Sequence, residues 1–219
     1  MRFMMITAMG TALVLAAGPT WADAAAGKTA FAAKKCTECH YTDGPAKEKT
    51  IDDQLAKKGP ELWYAGSKFQ KKWLGAWLAD PKPIRPLKYG TLNKKNPGDH
   101  PKLAGTEAAN MTDFLMSLTS DAVKAGMVKV KKNIKGKQIF IKKMPCSGCH
   151  QSPGRKGKIT GGFSGPSLVG AGKRLNPDWI YAYLKTPSVF KPVKAMPTFA
   201  GILKDKDMKN VAAHVAKMK

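Results

Sequence analysis

Cys36-Thr37-Glu38-Cys39-His40 and Cys146-Ser147-Gly148-Cys149-His150 contain all four cysteines and two of the four histidines of this 219-residue chain. Two cysteines three positions apart with a histidine directly after them form the attachment signature of c-type haem. The thiols can add to the two vinyl groups of one porphyrin, and the adjacent imidazole then reaches the iron. A zinc site would need further ligands nearby, and no cysteine is left to supply them. A thioredoxin-like dithiol does not explain a histidine after both pairs. The residues therefore point to two covalently attached haem c groups, at Cys36/Cys39 and Cys146/Cys149, with His40 and His150 as proximal iron ligands.

The chain around these motifs repeats. Gly59-Pro60-Glu61-Leu62 through Pro81 has the same length as Gly165-Pro166-Ser167-Leu168 through Pro187, with Trp73 and Leu78 matched by Trp179 and Leu184. His100-Pro101-Lys102-Leu103-Ala104-Gly105 matches Met196-Pro197-Thr198-Phe199-Ala200-Gly201, and Gly27 and Phe31 precede the first motif as Gly136 and Phe140 precede the second. Two domains are expected, at 23–120 and 136–219, joined by a solvated, flexible linker at 121–135.

The predicted elements are helices with long loops. Ala24 to Lys35 and Lys137 to Met144 lead into the motifs. Asn176-Pro177 offers a cap and a first-turn proline. The helix that follows places Trp179, Ile180, Tyr183 and Leu184 on one face, as Trp73, Leu74, Trp77 and Leu78 are placed in the first copy. These aromatics read as walls of a haem pocket rather than as electron stepping stones. Final helices run from about Thr106 to Leu118 and from about Asp205 to Ala216, and His214 is expected to face solvent.

Residues 1–22 read as a cleaved secretory signal. Arg2 is followed by an apolar core from Phe3 to Ala17, with small-residue cleavage sites near Ala22 or Ala24. That core is short for a membrane span, and no later run approaches twenty apolar residues. Export to the periplasm suits c-type haem attachment. Charge is uneven: the formal net charge is +23, and after signal removal the segment to Ser120 carries +5 and the rest +17. A field of one sign steers an oppositely charged partner and weakens with salt. No nucleic-acid-binding module is evident, and no amphipathic, lysine-faced helix stands apart from the repeat.

The complete motif set resembles a tandem member of the class I cytochrome c superfamily. It comprises a first helix, Cys-x-x-Cys-His, a Gly-Pro-x-Leu loop, a helix ending at proline, Met-Pro-x-Phe and a last helix. The resemblance covers essentially the whole mature chain and implies an all-α fold. In each domain the first and last helices cross, around one haem with an exposed edge. It also implies that Met196 is the distal ligand of the second iron. The first copy departs from the family: His100 stands in the methionine position, which suggests bis-histidine ligation there. Met111 and Met116 lie inside the following helix and read as core. The stretch from Pro81 to His100 is ten residues longer than that from Pro187 to Met196.

A thioether favours ferrous iron relative to a second nitrogen donor, so the expectation is a low-potential first haem and a high-potential second one. Electrons would enter at the first domain and leave through the basic second one. The partner would be an acidic redox protein or an oxidoreductase or oxidase complex. Lys142, Lys143, Lys156, Lys158, Lys191 and Lys194 would form the docking ring. This is a carrier rather than an enzyme. The competing reading is a dihaem redox enzyme, peroxidase-like or acting on sulfur compounds, in which His100 is a labile ligand.

Overall fold

The computed structural model describes residues 23–193 and 196–219; the expected signal segment lies outside them. The first half holds α1 (Ala24–Ala33), α2 (Ile51–Ala56), α3 (Ala65–Lys68), α4 (Lys71–Ala79) and α5 (Gly105–Ser117). The second holds α6 (Ile134–Gln138), α7 (Cys146–Cys149), α8 (Ala171–Arg174), α9 (Pro177–Lys185), α10 (Pro187–Phe190) and α11 (Asp205–Val215). A π-helical turn over Ile139–Lys143 continues α6. Among the described residues the fold is all-α apart from a short hairpin pairing Ser152–Pro153 with Ile159–Thr160.

Each half is organised on a helix crossing that needs a glycine. A Cβ on Gly27 would lie 2.1 Å from the Asn110 carbonyl oxygen, and one on Gly136 would lie 2.0 Å from that of Asn210. One turn on, Phe31 meets Phe114 edge to face with centroids 5.5 Å apart. In the second half Phe140 meets His214 in the same way at 5.6 Å. His214 is thus half-buried against an aromatic ring instead of facing solvent. Burial pushes its pKa down, with Lys137 adding to the effect. The start of α9 follows the sequence reading, since Asn176 Oδ1 accepts from Asp178 N at 3.0 Å.

The halves join about a local twofold relationship. Phe69 and Leu175, equivalent positions of the repeat, pair as an antiparallel bridge. Gln70 N donates to Arg174 O at 2.9 Å, and the equivalent Asn176 N donates to Lys68 O at 2.8 Å. The side chains exchange too: the Lys68 ammonium lies 4.9 Å from the Trp179 ring centre, and the Arg174 guanidinium lies 5.9 Å from that of Trp73. Such reciprocity is the mark of an isologous contact, here built within one chain. Tyr64, fully buried, leaves its own half to pack against Trp179 and Phe190.

The expected flexible linker is a docked one. Asp178 accepts from Gly126 N and Val128 N, both at 2.8 Å, and Val128 is buried. Ala122 and Val123 pack against the second core, and Ile134 and Lys135 already belong to α6. The lysines of the stretch point outward, but the backbone donors between them are captured by one carboxylate.

Candidate functional site

Both Cys-x-x-Cys-His segments are tight single turns, Cys36–Glu38 as a 3-10 turn and Cys146–Cys149 as α7. Each histidine N–H is tied back into its turn: His40 N donates to Cys36 O at 2.9 Å and His150 N to Cys146 O at 3.0 Å. No disulfide joins the four cysteines. Cys36 packs on the first apolar cluster and Cys146 on the second. Burial raises the pKa of both, that of Cys146 to about 11.

The two ring environments match closely. His40 Nδ1 lies 2.7 Å from Pro60 O, and His150 Nδ1 lies 2.7 Å from Pro166 O. A carbonyl can only accept, so each Nδ1 carries the proton and each Nε2 keeps a free lone pair, the tautomer of a metal-ligating imidazole. Burial, the leading cause, pushes both pKa values below the usual range. Neutral rings are the state that ligates. The loop lies against the ring because it is glycine: a Cβ on Gly59 or Gly165 would come within 2.6 Å of Cε1 of His40 or His150.

The His100 ring lies near that of His40, with centroids 6.2 Å apart and planes tilted by 46°. One metal ion bridging two imidazoles by bonds of about 2 Å spaces the ring centres by about this much. His100 Nδ1 lies 2.9 Å from Pro101 O, which again leaves Nε2 free. Trp77 supports its ring at 4.7 Å. Met111 is a core residue, buried in the first cluster. Met196 packs half-buried on the second cluster, which also holds Cys146, Trp179 and Leu168.

Among the described residues no three His, Cys, Asp or Glu side chains converge to hold a metal ion by themselves. The residues instead fit an iron that arrives within its own porphyrin. Paired thiols, an imidazole with a free Nε2 and an apolar wall recur in both halves. Trp63 Nε1, Trp179 Nε1 and Arg85 Nε are buried donors with no acceptor among the described residues. Each such donor costs about 1–3 kcal/mol when unmatched, and the carboxylates of a haem are acceptors of the right kind.

Sequence reading missed three features. Asn110 and Asn210, each four residues before Phe114 or His214, mark the helix crossings. The chemistry between the halves is the second: Glu61, with a fully buried side chain, meets Lys57 at 2.5 Å and Lys191 at 2.6 Å. It also accepts from Tyr64 Oη at 2.6 Å. These lysines hold its pKa down at about 2 against the opposing effect of burial. Lys191 is therefore turned inward and is not part of a docking ring; Lys194 lies outside the described residues. The third is Lys68, whose ammonium lies among Tyr64, Phe69 and Trp179. Burial, with Lys191 nearby, pushes its pKa down to about 7.

No helix among the described residues is long and apolar enough to cross a membrane. The family model described as cytochrome c matches residues 24–119, and the one described as cytochrome c oxidase, cbb3-type, subunit III matches residues 132–215. No curated protein and no solved structure matches the chain. Two successive family matches, on two halves built to one plan, establish that the chain belongs to the cytochrome c superfamily, as an electron-transfer haem protein with two cytochrome c domains in tandem.

Proposed function

We propose that this protein is an exported, periplasmic dihaem electron carrier. Cys36/Cys39 and Cys146/Cys149 attach the two haem c groups, His40 and His100 ligate the first iron, and His150 and Met196 the second. The observation that carries this reading is the 6.2 Å separation of the His40 and His100 ring centres with both Nδ1 atoms engaged. Bound haem supplies one-electron chemistry at iron. The chain's own residues fix the level at which that chemistry runs: two imidazoles favour the ferric state in the first domain, and a thioether favours the ferrous state in the second. Electrons accordingly pass from a low-potential donor through the first domain to the second.

The second domain delivers them to an acidic partner. Lys142, Lys143, Lys156 and Lys158 are exposed around the second attachment motif, with Ile159 and Phe163 exposed beside them. The match of this half to an oxidase-subunit family supports an oxidase complex as that partner. Two protein ligands at each iron leave no open position for a substrate, which favours carrier over enzyme. Spectroelectrochemical titration of the wild type beside His100→Met tests the assignment. Two separated steps are expected, with the lower one rising in the variant. One unsplit wave, or an unmoved lower step, overturns it.

A further inference from the structure

The extra ten residues between Pro81 and His100 do not form a loose loop. Leu87 bridges Lys95, Lys88 N donates to Lys94 O at 2.8 Å, and Asn96 N donates to Pro86 O at 2.8 Å, so the stretch closes on itself as a strap. The Asn96 side chain locks it further, donating to Arg85 O at 3.0 Å. Its far end is held by Lys191, which donates to Tyr89 Oη at 3.1 Å.

This strap of the first domain crosses to the loop behind His150. Ser167 N donates to Ile84 O at 2.9 Å, one residue after the Pro166 carbonyl that accepts His150 Nδ1–H. Arg85 Nη2 donates to Ser164 O at 3.1 Å, one residue before Gly165, which packs against the His150 ring. The strap thus grips the proximal loop of the second domain on both sides of Gly165-Pro166. The Arg85 guanidinium lies 5.5 Å from the Tyr89 ring centre, and its Nε is buried without an acceptor among the described residues.

We propose that Arg85 is a positioning residue for the second haem, supplied by the first domain. Its side chain holds the Ser164 end of the loop while the neighbouring Ile84 carbonyl holds Ser167, so that Pro166 orients His150, and it sets a fixed positive charge beside that site. A cation near iron opposes the extra positive charge of the ferric state, and the effect is strong where water is excluded. Arg85 therefore raises the potential of the second haem selectively and widens the step between the two. The grip on Ser164 is one bond from the end of the guanidinium, whereas any cation at that place supplies the charge. The proposal rests on the assignment of His150 as an iron ligand.

The test is a spectroelectrochemical titration of full-length, haem-loaded Arg85→Gln, Arg85→Lys and Lys95→Gln proteins. Lys95→Gln removes one charge from the exposed outer side of the same strap. The step that the His100→Met variant leaves in place identifies the second haem. A downward shift of that step alone is expected in Arg85→Gln, at least half of it restored in Arg85→Lys and none of it present in Lys95→Gln. Equal shifts of both steps, no shift, or the same shift in Lys95→Gln overturn the proposal. Should Arg85→Gln fail to load, Asn96→Ala, which frees the strap backbone from the Asn96 side chain, decides: it must displace the second step, and an unmoved step refutes the proposal. A wild type with fewer than two haems per chain is a separate result, which removes the underlying ligand assignment instead.

Discussion

Glu61 and Lys191, from opposite halves of the chain, meet at 2.6 Å in the interior between the domains. Lys57 binds the other oxygen of the same carboxylate and also pairs with Glu48, so the contact belongs to a buried network. Removing one partner of a buried pair leaves a charge without compensation, which costs about 3–5 kcal/mol. Glu61→Gln should destabilise the folded protein by about that amount, read from denaturant melts. The sign with pH follows from the depressed pKa: the stabilisation is fully present above the ordinary glutamate value of 4.5 and is lost as pH falls towards about 2. A Glu61→Gln melt that matches wild type at pH 7 would contradict this account.

Lys68 carries a linkage of the same sign in a higher pH window. The folded chain gives up its proton near pH 7, while the unfolded chain keeps it up to the ordinary lysine value of 10.5. Between those values the unfolded state binds more protons, so this residue makes stability rise with pH. Chemical denaturation from pH 7 to 9.5 should show the rise in wild type and lose it in Lys68→Met. Equal slopes in the two proteins would remove Lys68 from the explanation.

The helix crossings are open to a sharp test. Gly27→Ala and Gly136→Ala each push a methyl into a backbone carbonyl that cannot swing aside. Overpacking of this kind costs about 1–3 kcal/mol or more. Each variant should lower the melting temperature.

Covalent attachment can be counted. Cys36→Ser with Cys39→Ser should halve the haem that stays with the polypeptide after denaturing electrophoresis, and Cys146→Ser with Cys149→Ser should do the same. Retention of the full amount in either double variant would mean that the altered pair does not anchor a haem.

Much of the site was legible because its chemistry is local. The two motifs, the Gly-Pro loops and the capped start at Asn176 are contiguous signals, and the repeat placed His100 by analogy with Met196. What escaped sequence reading depends on contacts between distant segments. Lys191 reads as one more surface lysine until Glu61, buried and far away in sequence, faces it. His214 reads as polar and exposed, yet it occupies the position that Phe114 holds in the first half. The lysine-rich composition of 121–135 suggested freedom because composition cannot show that Asp178 gathers the backbone of that stretch.

That capture of Gly126 and Val128 by Asp178 bears on kinetics. A tethered pair of carriers samples many separations, and its internal hop then varies with viscosity and tether length. Here the connecting chain is splinted to α9 and the partners clasp through Phe69 and Leu175, so one separation governs. Cutting the peptide chain within the splint should leave the halves associated and the internal rate unchanged.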